Sequence, residues 1–138
     1  MARGSPDFQP WTAIQRFAAT GGAVAFEEQI AVPANTTELS PVTQDIVLCK
    51  GFISTVRLRF PPGSAGLMHI AVFDQATQLW PGSDDQWFSG DNEFIDFDTE
   101  YDVPYVTDEY KLTLHGWNED DSYPHICIAR MWVIKLPS

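Results

Sequence analysis

Phe52-Ile53-Ser54-Thr55-Val56-Arg57-Leu58-Arg59-Phe60 runs directly into Pro61-Pro62-Gly63. In an extended chain Phe52, Val56, Leu58 and Phe60 project to one side, and Thr55, Arg57 and Arg59 to the other. Residue-by-residue alternation is the mark of a strand with one face in a core. The two prolines end it, because neither can donate a hydrogen bond to a ladder, and Gly63 supplies the turn.

The same reading extends in both directions. Upstream, Val24, Phe26, Ile30 and Val32 share a face opposite Glu27, Gln29 and Ala31, and Pro33 and Asn35 break the pattern. Ile46-Val47-Leu48 is a short apolar strand ending at Lys50-Gly51. Downstream, Leu67 to Phe73 is apolar on both faces, as in a central strand. Gln78-Leu79-Trp80 precedes Pro81-Gly82, and Phe94 to Phe97, Tyr101 to Val106 and Tyr110 to Trp117 follow with turn residues between them. Ile126 to Leu136 is the longest expected strand, with Ile126, Ile128, Trp132, Ile134 and Leu136 on one side. The fold class is therefore all-β: about eight or nine strands at this spacing read as an antiparallel β-sandwich or barrel. A parallel α/β sheet is excluded because the crossover helices are missing.

Residues 1–22 differ from this body and form an N-terminal arm, leaving 23–138 for the sandwich. Met1 to Gln9 is rich in Arg, Gly, Ser and Pro, whereas Trp11, Ile14, Phe17 and Ala18 fall at helical spacing before Gly21-Gly22. So short a helix is unstable alone in water. Its aromatic stripe must lie either on its own domain or on a neighbouring subunit.

The 138 residues carry eight basic and nineteen acidic side chains, for a net charge of −11. Nucleic acid is an improbable partner, since phosphate binding draws on clustered Lys and Arg; an anionic membrane surface is disfavoured for the same reason. No apolar run is long enough to span a bilayer, and the first residues contain no continuous apolar stretch of the secretory type. Cys49 and Cys127 lack metal-ligand spacing and read either as buried free thiols or as a disulfide.

Few motifs point to chemistry. Asp84-Asp85, Asp91, Glu93 and Glu119-Asp120-Asp121 sit in turn segments. Loop carboxylates are calcium ligands when they converge. Asp84, Asp85 and Asp120 are the calcium candidates, set against the plainer reading of solvated turn acids. No cofactor and no metal site are expected. His69, His115 and His125 are dispersed over separate strands and read as structural. There is no nucleophile elbow and no phosphate loop, and no pair of acids stands out as a glycosidase dyad. Asn35-Thr36-Thr37 reads as a turn. Trp80, Trp87 and Trp117, with Phe88, lie near strand ends, where aromatic side chains cap a core, anchor an interface or stack on sugars.

Two stretches carry a resemblance. Phe60-Pro61-Pro62-Gly63-Ser64-Ala65-Gly66-Leu67 leading to Gln78-Leu79-Trp80-Pro81, and Gly116-Trp117-Asn118-Glu119-Asp120-Asp121 leading to His125, resemble small β-sandwich virion proteins of tailed bacteriophages and their relatives. The resemblance covers roughly Phe52 to Leu136 and implies a jelly roll that decorates or cements a capsid, often as a trimer. Its motifs are turn motifs, so it transfers no functional residue. The resulting expectation is a non-enzymatic, self-associating capsid component located in the virion, partnered by copies of itself and by other capsid proteins. Trp11, Ile14 and Phe17 would form the arm contact. The alternative is a carbohydrate-binding module using Trp80, Trp87 and Trp117, with calcium held by the acidic loops.

Overall fold

The structure, a computed structural model, describes residues 23–103 and 109–135. These contain eight strands: β1 (Ala23–Val32), β2 (Val42–Cys49), β3 (Gly51–Phe60), β4 (Met68–Asp74), β5 (Thr77–Trp80), β6 (Glu93–Val103), β7 (Glu109–Asn118) and β8 (His125–Ile134). The N-terminal helix expectation, with Trp11, Ile14 and Phe17, lies outside the described residues.

The strands form two four-stranded sheets in the orders β1-β8-β3-β6 and β2-β7-β4-β5. Antiparallel pairing runs β4 with β5, β3 with β6, β2 with β7 and β1 with β8. The chain is thus one long antiparallel ribbon, folded at the β4–β5 hairpin and wrapped on itself. β3–β8 and β4–β7 pairing then closes each sheet. That wrapping is the jelly roll, and it lets alternating strands bury one face each against the opposite sheet.

Inward side chains of both sheets fill the space between them. Val56, Leu58 and Phe60 of β3 meet Ile70 and Val72 of β4, Leu112 and Leu114 of β7, and Met131 and Val133 of β8 in one core. A bulge between Ile53 and Thr55 explains a break in the β3 alternation: Ile53 and Ser54 are both buried. Ser54 satisfies its hydroxyl on the Trp132 carbonyl at 3.2 Å.

Two expectations are corrected. Phe94–Phe97 and the described start of the Tyr101–Val106 segment are not separate strands, because Glu93–Val103 is continuous; at 11 residues it also exceeds the 10-residue β8, the strand expected to be longest, and residues 104–106 lie outside the described residues. On β8 the row of Ile126, Ile128 and Trp132, with exposed Arg130 among them, faces away from the core, while Cys127, Ala129, Met131 and Val133 are buried; Ile134 of the same row is nonetheless buried at the strand's end, and Leu136 lies outside the described residues. Three large apolar side chains on the outward row mask the orientation that Arg130 signals.

Gly116 permits the closest approach of the sheets. A Cβ there would lie 2.8 Å from Val32 Cγ2 and 2.9 Å from Ile70 Cδ1. At the far end, Tyr101 of β6 and Tyr110 of β7 both donate their hydroxyls to Asp74 of β4, the latter at 2.6 Å. One carboxylate therefore ties the two sheets together. Burial and the Asp74 charge raise the Tyr101 pKa, and the Asp74 hydrogen bond raises that of Tyr110, so both remain donors.

Candidate functional site

The outer face of β2-β7-β4-β5 is covered by the chain's own rings. His69 of β4 and Trp117 of β7 are register partners, stacked with centroids 4.1 Å apart. Phe73 and His115 stack at 3.8 Å. The segment after β5 pairs with the edge of β4 at the Ile70–Phe88 bridge and delivers Trp87, edge-on to Trp117 at 6.0 Å and 86°. Trp87 Nε1 donates to Glu38 at 3.0 Å. His69 Nε2 lies 2.5 Å from Glu119 Oε2. Burial alone lowers the His115 pKa.

Of the three tryptophans read from the sequence, the fold brings Trp87 and Trp117 together and leaves Trp80 apart. Trp80 packs edge-on against Phe97 and Tyr101 of the other sheet. The near-perpendicular Trp87 and Trp117 rings cannot both stack on a single sugar ring. Trp117 Nε1 is buried without a hydrogen-bond partner, enclosed beneath the residues that cover it.

The acidic loop after β7 is a built turn. Buried Asn118 donates to the Val32 and Tyr123 carbonyls at 3.4 and 3.0 Å and accepts from Asp120 N at 3.0 Å. Asp120 accepts from Ser122 N at 2.9 Å and from Tyr123 N at 3.2 Å, and lies 2.8 Å from His125 Nε2. The His125 contact, followed by the backbone donors, holds the Asp120 carboxyl below its ordinary pKa. Its oxygens are therefore occupied by turn formation. Among the described residues, no group of three or more His, Cys, Asp or Glu side chains is placed to hold a metal ion, so Asp84, Asp85 and Asp120 do not converge as calcium ligands.

The outer face of β1-β8-β3-β6 has a different character. Register places Glu27, Arg130, Arg57 and Asp96 in one row across all four strands. Arg57 and Arg130 are direct neighbours, an arrangement that costs stability when the charges are bare. Each is neutralised from the outside. Asp96 takes Arg57 Nε at 2.8 Å and Nη2 at 3.2 Å, and Glu27 Oε1 takes Arg130 Nε at 2.9 Å and Nη2 at 2.7 Å. The Asp96 hydrogen bond raises the Arg57 pKa further.

The next row is Gln29, Ile128, Arg59 and Phe94. The guanidinium carbons of Arg57 and Arg59 each lie 4.8 Å from the Phe94 ring centre, while Arg130 and Arg57 approach Trp132 at 5.6 and 5.8 Å. Glu27, Arg57, Arg59, Phe94, Ile128 and Arg130 line an open groove of about 250 Å³. Among the described residues, Arg59 has the neutral Asn92 Oδ1 at 3.2 Å as its hydrogen-bond partner and no carboxylate. Phe94 is 54% exposed.

This groove was not foreseen. The available signal was that Arg57, Arg59 and Arg130, three of only eight basic residues, all lie on strands rather than in loops. Cys49 and Cys127 are free thiols, and burial pushes the Cys127 thiol up to about 12, which makes it inert. Among the described residues no helix is long and apolar enough to cross a membrane.

No protein-family model matches the sequence, and no curated protein is recognisably similar to it. Among solved structures, the chain is similar to one described with Bacillus endospore appendages, a family of disulfide-linked pili. The identity is 9% and the TM-score 0.39, over 82% of this chain and 88% of that one. A likeness so loose carries no functional argument.

Proposed function

We propose that this chain is a non-enzymatic structural protein: a self-associating jelly roll that serves as a decoration, cement or minor capsid subunit of a virus particle. The observation that carries the reading is where the reactive side chains are used. The histidines, the tyrosine–aspartate tie and the acidic turn after β7 are all engaged in holding the sandwich and its loops. What stays open is an outer sheet face bearing arginines, Trp132 and exposed Phe94. Arginine and large aromatic side chains are the residues that anchor protein interfaces.

In this reading Trp11, Ile14 and Phe17 of the N-terminal arm bury on neighbouring subunits, and a trimer is the favoured order. An arm exchanged between protomers joins subunits without enlarging their cores. The test is native mass by light scattering on the full chain, with and without EDTA, repeated after deletion of residues 1–22. A stable oligomer that ignores EDTA and weakens on arm deletion supports the proposal. A monomer at every concentration overturns it.

The carbohydrate-binding alternative draws on Trp87 and Trp117, which the fold does bring into contact. Glycan-array binding that is lost in Trp87→Ala would put it in place of the structural reading.

A further inference from the structure

Most described carboxylates have a partner. Glu27 and Asp96 hold arginines, Asp45 holds Lys111, and Glu38 accepts from Trp87. Asp74 accepts from tyrosines, Asp91 from Gly63 N, Asp98 from Thr55, and Glu119 and Asp120 meet histidines. Glu28, Asp84, Asp85 and Asp102 do not. Glu28 and Asp102 are single residues on strands β1 and β6, whereas Asp84 and Asp85 are adjacent and exposed on the turn closed by Gln86 N and the Ser83 carbonyl at 3.0 Å, and are engaged by no described residue. That turn is anchored from below, where Gln78 Nε2 donates to the carbonyls of Pro81 and Ser83, both at 2.8 Å, and of Gln86 at 3.0 Å. The turn follows β5, an edge strand of the second sheet.

The complementary deficiency lies on the first sheet. Among the described residues Arg59 has no carboxylate partner, and the paired Arg57 and Arg130 engage theirs through Nε and Nη2, with no described acceptor on Nη1 of either. In a chain of net charge −11 this groove is the described surface where guanidinium groups gather. Its size, about 250 Å³, suits one or two carboxylate side chains rather than a folded element.

We infer that the Arg57–Arg59–Arg130 groove of one copy receives the Asp84-Asp85 turn of a second copy, with Arg59 taking the leading carboxylate. The contact joins two different surfaces, so it is heterologous and propagates head to tail, closing into a ring or extending as a chain according to the rotation it imposes. It also explains the composition of the site: Phe94 and Trp132 give the guanidiniums flat apolar backing, which holds them in place without neutralising them. This inference rests on the self-association proposed above and names the surfaces that would carry it.

The experiment is analytical ultracentrifugation of the full chain, compared with Arg59→Glu, with Asp84→Lys/Asp85→Lys, and with the triple variant that swaps both signs. Arg59→Glu is checked for folding by circular dichroism, and the loop pair provides an independent arm remote from the core. Each partial variant should raise the concentration at which the oligomer dissociates by roughly tenfold or more, as expected for a close charged pair. The triple variant should restore association, and added salt should weaken the wild type. An oligomer indifferent to salt and to both partial variants overturns this contact while leaving self-association standing. A triple variant that stays dissociated also overturns it. A monomeric wild type overturns both readings.

Discussion

The two outer faces of this sandwich are built from the same kind of strand but solve different problems. On β2-β7-β4-β5, aromatic rings stack on one another, and the segment after β5 adds Trp87 edge-on to Trp117. On β1-β8-β3-β6, two adjacent arginines are flanked by a carboxylate on each outer strand, and no described segment covers the arginines and Phe94. The first arrangement is a small outer core, held by contact area and responsive to proton uptake. The second is a lattice of charge, responsive to salt and able to accept a partner. A face that has been covered by its own loop is spent; a face held by ion pairs remains available.

The largest effect should come from the element shared by both faces. Gly116→Val drives a side chain into Val32 and Ile70, prising β1 from β7, and should cost about 3 kcal/mol by urea denaturation. Trp fluorescence and far-ultraviolet circular dichroism should then shift together, since one core supports both sheets; separate transitions would break the comparison into two independent layers.

Trp117→Ala should come next, at about 2–3 kcal/mol, below the fully buried range because the indole is only half buried. It removes the stacking surface of His69 and the edge contact of Trp87, and near-ultraviolet circular dichroism should report the loss. An unchanged melting temperature would show that the ring cover is ornamental to stability.

Asp96→Asn acts on the other face and should cost less. It leaves Arg57 beside Arg130 without its carboxylate, so the variant should melt slightly below the wild type in low salt and converge with it in high salt. A deficit that persists in high salt would mean that packing rather than charge holds this face.

The smallest effect is a pH response confined to the covered face. Burial lowers the His115 pKa in the folded chain, so the unfolded chain binds that proton first as pH falls. The His115 contribution is full above the ordinary histidine value of about 6.5 and declines as pH drops through the lowered folded value. Replacing His115 with Gln should flatten this part of the profile of melting temperature against pH. Arginines do not titrate in that range, so the charged face should leave the profile unaffected there.

Much of the framework was legible because it is local. The Pro61-Pro62-Gly63 stop, the alternation from Phe52 to Phe60 and the apolar run from Leu67 to Phe73 each depend on neighbours a few residues away, and each became a strand or turn near its expected bounds. The candidate groove was not legible. Arg57 was visible as an outward residue, but its neighbours Asp96 and Arg130 are 39 and 73 positions away, and only strand order places them beside it. The tryptophans were legible as strand-end residues but not as a pair and an outlier, since Trp87 joins Trp117 through a segment that pairs with the edge of β4.

By itself, then, the sequence determined where the chain extends, where it turns and that its product is an antiparallel sandwich, because sterics, proline and alternating polarity act within a few residues. Tertiary structure decided the rest. Register selected which outward side chains became neighbours, turning scattered arginines into one groove and scattered rings into one cover. It also set how β8 packs: Cys127, Ala129, Met131 and Val133 fit into the shared core, while Ile126, Ile128 and Trp132 stay on the outer row with Arg130.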